Sequence, residues 1–182
     1  MKRKALALAA LVSATGAQFA NASDGTINFN GQLTDQTCTV SVNGVVTPTV
    51  ATVTLPTVSA STLTVAGETA GSTAFNIRLS NCVGAANAVA AFFESGSGVD
   101  PFSGHLNNIA GVGSATNVQL QLVDAASNNI ISAGNSNQLF SNTFAALVNG
   151  EADMPYAVRY YATGATTAGT VVGSVTYSIN YQ

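Results

Sequence analysis

The last stretch of the chain alternates. Val171, Gly173, Val175, Tyr177, Ile179 and Tyr181 share one parity, Val172, Ser174, Thr176, Ser178 and Asn180 share the other, and Gln182 ends the sequence. A period of two sends successive side chains to opposite faces of a pleated strand, so the run predicts a strand with one apolar and one polar face. The same period appears near the start, where Gly25, Ile27, Phe29, Gly31 and Leu33 oppose Thr26, Asn28, Asn30 and Gln32. Between these ends, short runs of Val, Thr, Ile and aromatic residues are interrupted by Gly, Asn, Ser and Asp clusters. They predict strands over 26–33, 37–42, 49–55, 74–79, 88–93, 117–123, 143–147, 156–162 and 171–181. Strands of this number and spacing, with no long helix, internal repeat or linker, predict an all-β sandwich. The Ser/Thr/Ala-rich segment 57–73 is expected to cross between its sheets.

Charge removes whole classes of function. Of 182 residues only 7% are charged, and three of the five cations, Lys2, Arg3 and Lys4, stand at the very start. Arg78 and Arg159 are the only cations beyond them, and they face eight acids, a formal charge of −6 for the body. A nucleic-acid surface needs clustered Lys and Arg to displace counterions, so no nucleic-acid partner is expected. With no lysine in the body, phosphate-loop and Schiff-base chemistry are excluded as well.

The start reads as a secretory signal over residues 1–22. A basic opening precedes an apolar stretch over 5–12, and Ala20-Asn21-Ala22 supplies the small-x-small cleavage pattern, predicting cleavage between Ala22 and Ser23. Thr15-Gly16-Ala17 is a second, weaker site that would leave a longer mature chain. A membrane-spanning helix needs roughly 20 apolar residues, and Ser13, Thr15 and Gln18 interrupt the run, so no stable membrane insertion is expected.

Export carries Cys38 and Cys82, the only two cysteines, into an oxidising compartment, where they are expected to form a disulfide. The bridge would close a loop of about 45 residues, worth about 4 kcal/mol in the chain-entropy model. Two cysteines and the single His105 are too few for a closed zinc site, so neither metal nor cofactor is expected. Asp100, Ser103 and His105 lie within one turn-rich segment, but a hydrolase triad is placed by the fold and needs an oxyanion hole, which adjacency in a turn does not supply. Glu94 and Asp100 are read as loop acids and not as a glycosidase pair. Gly111 and Gly113 lack the third glycine of a dinucleotide loop. No catalytic residue is assigned.

Taken in order, the leader, Gly25-Thr26-Ile27-Asn28-Phe29-Asn30-Gly31, Asp35-Gln36-Thr37-Cys38-Thr39-Val40, Ser80-Asn81-Cys82, Gly169, and Tyr177-Ser178-Ile179-Asn180-Tyr181-Gln182 resemble bacterial chaperone–usher pilins of the type 1 and type 3 fimbrial kind. The resemblance covers the whole mature chain. It implies an incomplete immunoglobulin-like β-sandwich lacking its last strand and completed by a donor strand from a neighbouring subunit. On this sequence the donor extension is 23–33, with Gly25, Ile27, Phe29 and Gly31 facing the acceptor, and the pilin domain is 34–182. The groove-edge strand, first covered by a periplasmic chaperone, carries Gly169, Val175, Tyr177, Ile179 and Tyr181. Implied partners are that chaperone, an outer-membrane usher and identical subunits joined head to tail. The implied product is an extracellular fimbria, exported through the periplasm, that supports adhesion and biofilm formation. The alternatives are a minor or tip subunit that binds a surface receptor directly, and a soluble secreted sandwich with no assembly role.

Overall fold

The computed structural model describes residues 35–182 together with Asn28, Gly31 and Leu33. The predicted cleavage pair Ala22 and Ser23 and the predicted donor residues Gly25, Ile27 and Phe29 lie outside the described residues. The chain divides into Met1–Leu33 and Thr34–Gln182, and the architecture that follows is that of the second unit.

Strands form where apolar and polar residues alternate and where long-range partners exist. β1 (Thr37–Val42), β2 (Val45–Val46), β3 (Thr69–Val83), β4 (Ala88–Phe93), β5 (Leu106–Asn107), β6 (Val118–Asp124), β7 (Ile130–Ile131), β8 (Ala145–Ala146), β9 (Ala152–Ala162) and β10 (Tyr177–Tyr181) are joined by loops, a 3-10 turn at Ala60–Thr62 and one helical turn at Gln138–Ser141. β1 and β4 keep their predicted bounds, β3 and β9 run longer, and β8 and β10 are shorter than the periodic stretches that signalled them. The short strands β2, β5 and β7 were not expected from periodicity. None of the helices among the described residues is long and apolar enough to cross a membrane.

The strands make two antiparallel sheets. The larger has the order β2-β1-β3-β9-β6-β5, with β7 also paired to β6, and the smaller has the order β10-β4-β8. One predicted strand is corrected: 49–55 belongs to neither sheet. Ala51, Val53 and Leu55 do pack half-buried against the core while Thr52 and Thr54 are exposed. Yet among the described residues this run makes no backbone hydrogen bond between Val50 and Val58. Period two reports alternating burial, and burial here comes without a pairing strand. The expected crossing over 57–73 is corrected in the same way, since its last part is already β3.

Facing side chains of the two sheets fill the space between them. Ile77 and Leu79 of β3, Leu122 of β6, and Met154 and Tyr156 of β9 meet Val89 and Phe93 of β4. Tyr156 ties the layers directly: its ring sits edge-on to Phe93 at 5.1 Å and its hydroxyl accepts the Ala91 N–H at 2.9 Å. Burial pushes its pKa up to about 12, so the hydroxyl stays neutral. Cys38 of β1 and Cys82 of β3 form the expected disulfide. The turn from β1 to β2 places Asn43 and Gly44 at φ of 48° and 82°, the left-handed pair that a two-residue hairpin requires.

Both arginines of the body lie in inner strands. Arg78 pairs across β3 with Ser41 on one side and Asp153 on the other, and Glu151 and Asp153 hold its guanidinium at 2.9 and 2.8 Å. Arg159 of β9 pairs with Gln121 of β6. A protease must draw an extended segment out of the sheet before it cuts, so cleavage follows opening of the fold. The folded, leader-free chain is therefore expected to resist trypsin, and the reduced, urea-unfolded chain to be cut after both arginines. A time course on an SDS gel checks this, and rapid cutting of the folded chain at either site would contradict it.

Candidate functional site

β10 is the outer strand of the smaller sheet. It pairs with β4 in the register Tyr177 to Phe93, Ile179 to Ala91 and Tyr181 to Val89. The ladder is bracketed by Glu94 N–H donating to Thr176 C=O at 2.8 Å and by Gln182 and Ala88 exchanging bonds at 2.9 and 3.0 Å. In an antiparallel ladder alternate residues face the partner strand. Thr176, Ser178, Asn180 and Gln182 therefore turn their N–H and C=O groups to β4, and Tyr177, Ile179 and Tyr181 turn theirs to the opposite edge. The side chains of those same three residues pack half-buried against the core.

Among the described residues the edge thus combines two unmet demands. Its backbone presents donors and acceptors with no partner strand, and its side chains are only partly covered. That combination is the template for adding a strand, with backbone bonds giving affinity and alternate side chains giving register. Desolvation raises the pKa of the Tyr177 and Tyr181 hydroxyls. Tyr177 lies 6.4 Å from Phe93, ring to ring, and its buried hydroxyl has no hydrogen-bond partner among the described residues. On the polar face Ser178 donates to Glu94 at 2.6 Å, which anchors β10 to β4 and occupies one of the candidate acids.

The remaining predicted residues fall outside this strand. Val175 packs half-buried against the core just before β10. Gly169 lies earlier, against the backbone of Ser114 and Ala115, where an added Cβ would come within 2.5 Å of the Ser114 carbonyl carbon. The predicted strand 171–181 is corrected to Tyr177–Tyr181. Its first half is bonded instead to the loop after β5, with Ile109 N–H donating to Val172 C=O at 2.8 Å, because the chain there is leaving the larger sheet for the smaller one. Of the donor residues only Gly31 is described, and it is exposed.

The structure turns the Asp100, Ser103, His105 segment into something other than a triad. Asp100 Oδ1 accepts from the N–H groups of Phe102 and Ser103, each at 2.9 Å, and those backbone bonds, Ser103 first, hold its carboxyl below the usual range. Ser103 Oγ accepts the His105 backbone N–H at 3.2 Å, leaving the imidazole to other partners. His105 is buried at 6% exposure, although it lies in the segment that the sequence marks as turn-rich. Arg159 gives two bonds to Gln121 Oε1, at 2.8 and 2.6 Å, so the Gln121 amide nitrogen donates to His105 Nε2 at 2.9 Å. Nδ1 then carries the ring proton toward Gln119 Oε1 at 3.3 Å, and Gln119 Nε2 reaches Asn107 Oδ1 at 3.1 Å and Asp100 Oδ2 at 3.4 Å. A hydrogen-bonded chain thus runs from a cation to an anion through a neutral imidazole. Sequence reasoning missed Gln119, Gln121 and Arg159 as its partners. Two glutamines alternating with leucines in β6 were the available signal.

A pH dependence follows. Burial lowers the His105 pKa below its ordinary 6.5, against opposing pulls from Gln119 and Asp100 and with a smaller push from Arg159. The unfolded chain then binds the proton more readily than the folded one, so stability is full above about pH 6.5 and falls as pH drops through the folded value. The urea midpoint of the monomer is expected to decline between pH 7.5 and 5, before the carboxylates titrate, and to decline less in His105→Gln. A flat profile in both proteins would contradict the network.

Residues 55–182 match the family of FimA, type-1 fimbrial protein A. The major fimbrial subunit SMF-1 of Stenotrophomonas maltophilia is 48% identical over 168 residues, covering 90% of this chain and 95% of that protein. The F17 fimbrial protein of Escherichia coli is 38% identical over 176 residues, covering 94% and 95%. A solved chain from a chaperone–usher pilus, described for the basis of rod uncoiling, has the same fold, with a TM-score of 0.58 at 21% identity over 88% of this chain and 96% of that one. The two sheets with an open β10 edge are accordingly an incomplete immunoglobulin-like sandwich. The chain belongs to the type-1 fimbrial protein family and is a structural fimbrial subunit.

Proposed function

We propose that the subunit polymerises head to tail by donor-strand complementation. Residues 1–22 are removed on export, residues 23–33 of one copy become an added strand along β10 of the next, and 34–182 forms the domain that accepts it. The observation that carries this reading is the β10 edge, with Tyr177, Ile179 and Tyr181 aiming backbone groups outward and side chains inward. The run 51–55, alternately half-buried and without backbone partners among the described residues, is a second segment with backbone free to meet an added strand. On the donor, Ile27 and Phe29 supply side chains of matching parity, and Gly25 and Gly31 on the same face let the backbone lie close.

Burying Ile27 and Phe29 contributes about 1.5–3 kcal/mol each, and each added ladder bond about 0.5–1.5 net. A contact between two different surfaces that does not close on itself propagates, so the product is a filament. Before assembly the open edge is an aggregation hazard, which is the physical reason for a periplasmic chaperone that lends a strand and an outer-membrane usher where the donor replaces it. The extracellular filament then supports adhesion and biofilm formation. A minor or tip subunit that binds a receptor directly has less support, since the chain spans nearly the whole length of a major subunit.

Material sheared from the cell surface and run in SDS, with and without boiling in acid, tests the reading. A ladder of multiples that collapses to one mature-size band is expected. A single monomer band under both treatments would overturn it.

A further inference from the structure

We propose that the side chain of Asn108 clamps the root of β10 and so sets the register in which the open edge receives an incoming strand; this rests on the donor-strand reading above. β10 pairs with β4 over Tyr177–Tyr181, with further backbone bonds at Thr176 and Gln182 on either side. Upstream, residues 170–172 are held by the loop that follows β5, and Asn108 supplies the central contacts. Its Nδ2 donates to Ala115 C=O at 2.9 Å and to Thr170 C=O at 3.0 Å. Its Oδ1 accepts from Ala110 N–H at 3.1 Å and Val172 N–H at 2.9 Å. The carboxamide therefore uses both ends at once, like an inserted peptide group that joins the loop to the strand root. No other side chain among the described residues bonds the backbone of 170–172.

Neighbouring features agree with that role. Ile109 N–H donates to Val172 C=O, Ala115 N–H to Thr170 C=O, and Thr170 N–H to Gly113 C=O, at 2.8, 3.0 and 3.0 Å. Gly169, which has no room for a Cβ, lets the two backbones approach closely enough for these bonds. Only a short span separates Val172 from Val175 and Tyr177, so fixing Val172 fixes where the groove-facing residues begin. An incoming strand must match the spacing of donors and acceptors along the whole edge. If the root were free, ordering it would be charged against binding. Asn suits the position because it carries two donors and an acceptor on a short stem. Aspartate there would set acceptor oxygens against the Ala115 and Thr170 carbonyls, and alanine would leave all four backbone groups without this partner.

The test uses the full-length, disulfide-bonded subunit and a synthetic peptide of residues 23–33 as donor. Wild type, Asn108→Ala, Asn108→Asp and the control Asn129→Ala, which removes a distant bond to Ser141, are compared for peptide uptake and residue-level amide exchange. Asn108→Ala and Asn108→Asp are expected to take up peptide at least tenfold more slowly, with faster exchange confined to Ala110 and 170–176, while Asn129→Ala matches wild type. Uptake by Asn108→Ala within twofold of wild type would overturn the clamp, whatever its thermal stability. If the variants do not fold, exchange in wild type alone decides: Ala110 and Val172 amides protected as well as β10 support the clamp, and free exchange there overturns it. Failure of the wild type to bind peptide, together with no SDS-resistant ladder, would instead sink the donor-strand reading.

Discussion

Cells whose sole copy of the subunit carries Ile27→Ser together with Phe29→Ser are expected to yield folded, disulfide-bonded monomer and no SDS-resistant ladder. Both side chains belong to the proposed donor strand and not to the core formed by the described residues of 34–182, so that core keeps its side chains. Their loss removes about 3–6 kcal/mol of burial from each joint, equivalent to about 10²- to 10⁴-fold in affinity. The ladder hydrogen bonds remain available, but backbone pairing alone carries little register preference once the alternate side chains are gone. The variant keeps Tyr177, Ile179 and Tyr181 and can still accept a strand. Mixed with wild type it should join a chain it cannot extend, so fibres should shorten as its share rises. Gels of sheared material and fibre lengths by electron microscopy check both statements, and a ladder of unchanged intensity from the variant alone would contradict them.

How far the fold could be read in advance depended on what each residue pattern reports. β1 alternates and ends at Asn43-Gly44, while β4 is a short, wholly apolar run that ends at polar turn residues, so pattern and punctuation located both. The run 49–55 alternates equally well because Ala51, Val53 and Leu55 pack half-buried against the core, yet pairing depends on what another part of the chain brings alongside. β3 outruns its prediction at both ends, where Gly71 at φ +64 and Asn81 at φ 53 interrupt the pattern while long-range pairing to β9 and β1 continues. β5 and β7 are too short to carry a period. β2 had a local signal after all in Asn43-Gly44, the strongest short-range mark of a hairpin.

The site was legible in half. Which residues of 171–181 face inward follows from parity, and the inward set Tyr177, Ile179 and Tyr181 is the one that packs on the core. That β10 is the last strand of its sheet, and that its root is tied to the loop after β5, are facts of tertiary pairing that no local window contains. His105 shows the same division. Its neighbours in sequence suggested a surface turn, while its burial comes from Gln119, Gln121 and Arg159, which arrive on β6 and β9.

Replacing both Cys38 and Cys82 by serine is expected to have the largest effect on the monomer itself. The bridge spans a sequence separation of 44 residues, and freeing a loop of that length in the unfolded chain costs about 4 kcal/mol of stability in the entropic model. Set against a total of about 5–15 kcal/mol for a typical domain, that is enough to leave a marginal sandwich substantially unfolded. The position sharpens the loss: β1 lies toward one edge of its sheet, with only the two-residue β2 beyond it. Next to the bridge, Cys82 N–H donates to Gly150 C=O at 3.0 Å, so the turn into β9 leans on the same point. Urea unfolding of the monomer separates this outcome from that of the donor variant. The cysteine pair should lower the midpoint strongly and reduce assembly only as a consequence, whereas Ile27→Ser with Phe29→Ser should abolish assembly at an unchanged midpoint. A cysteine-free monomer with a wild-type midpoint would mean that β1 is held by its pairing with β3 alone.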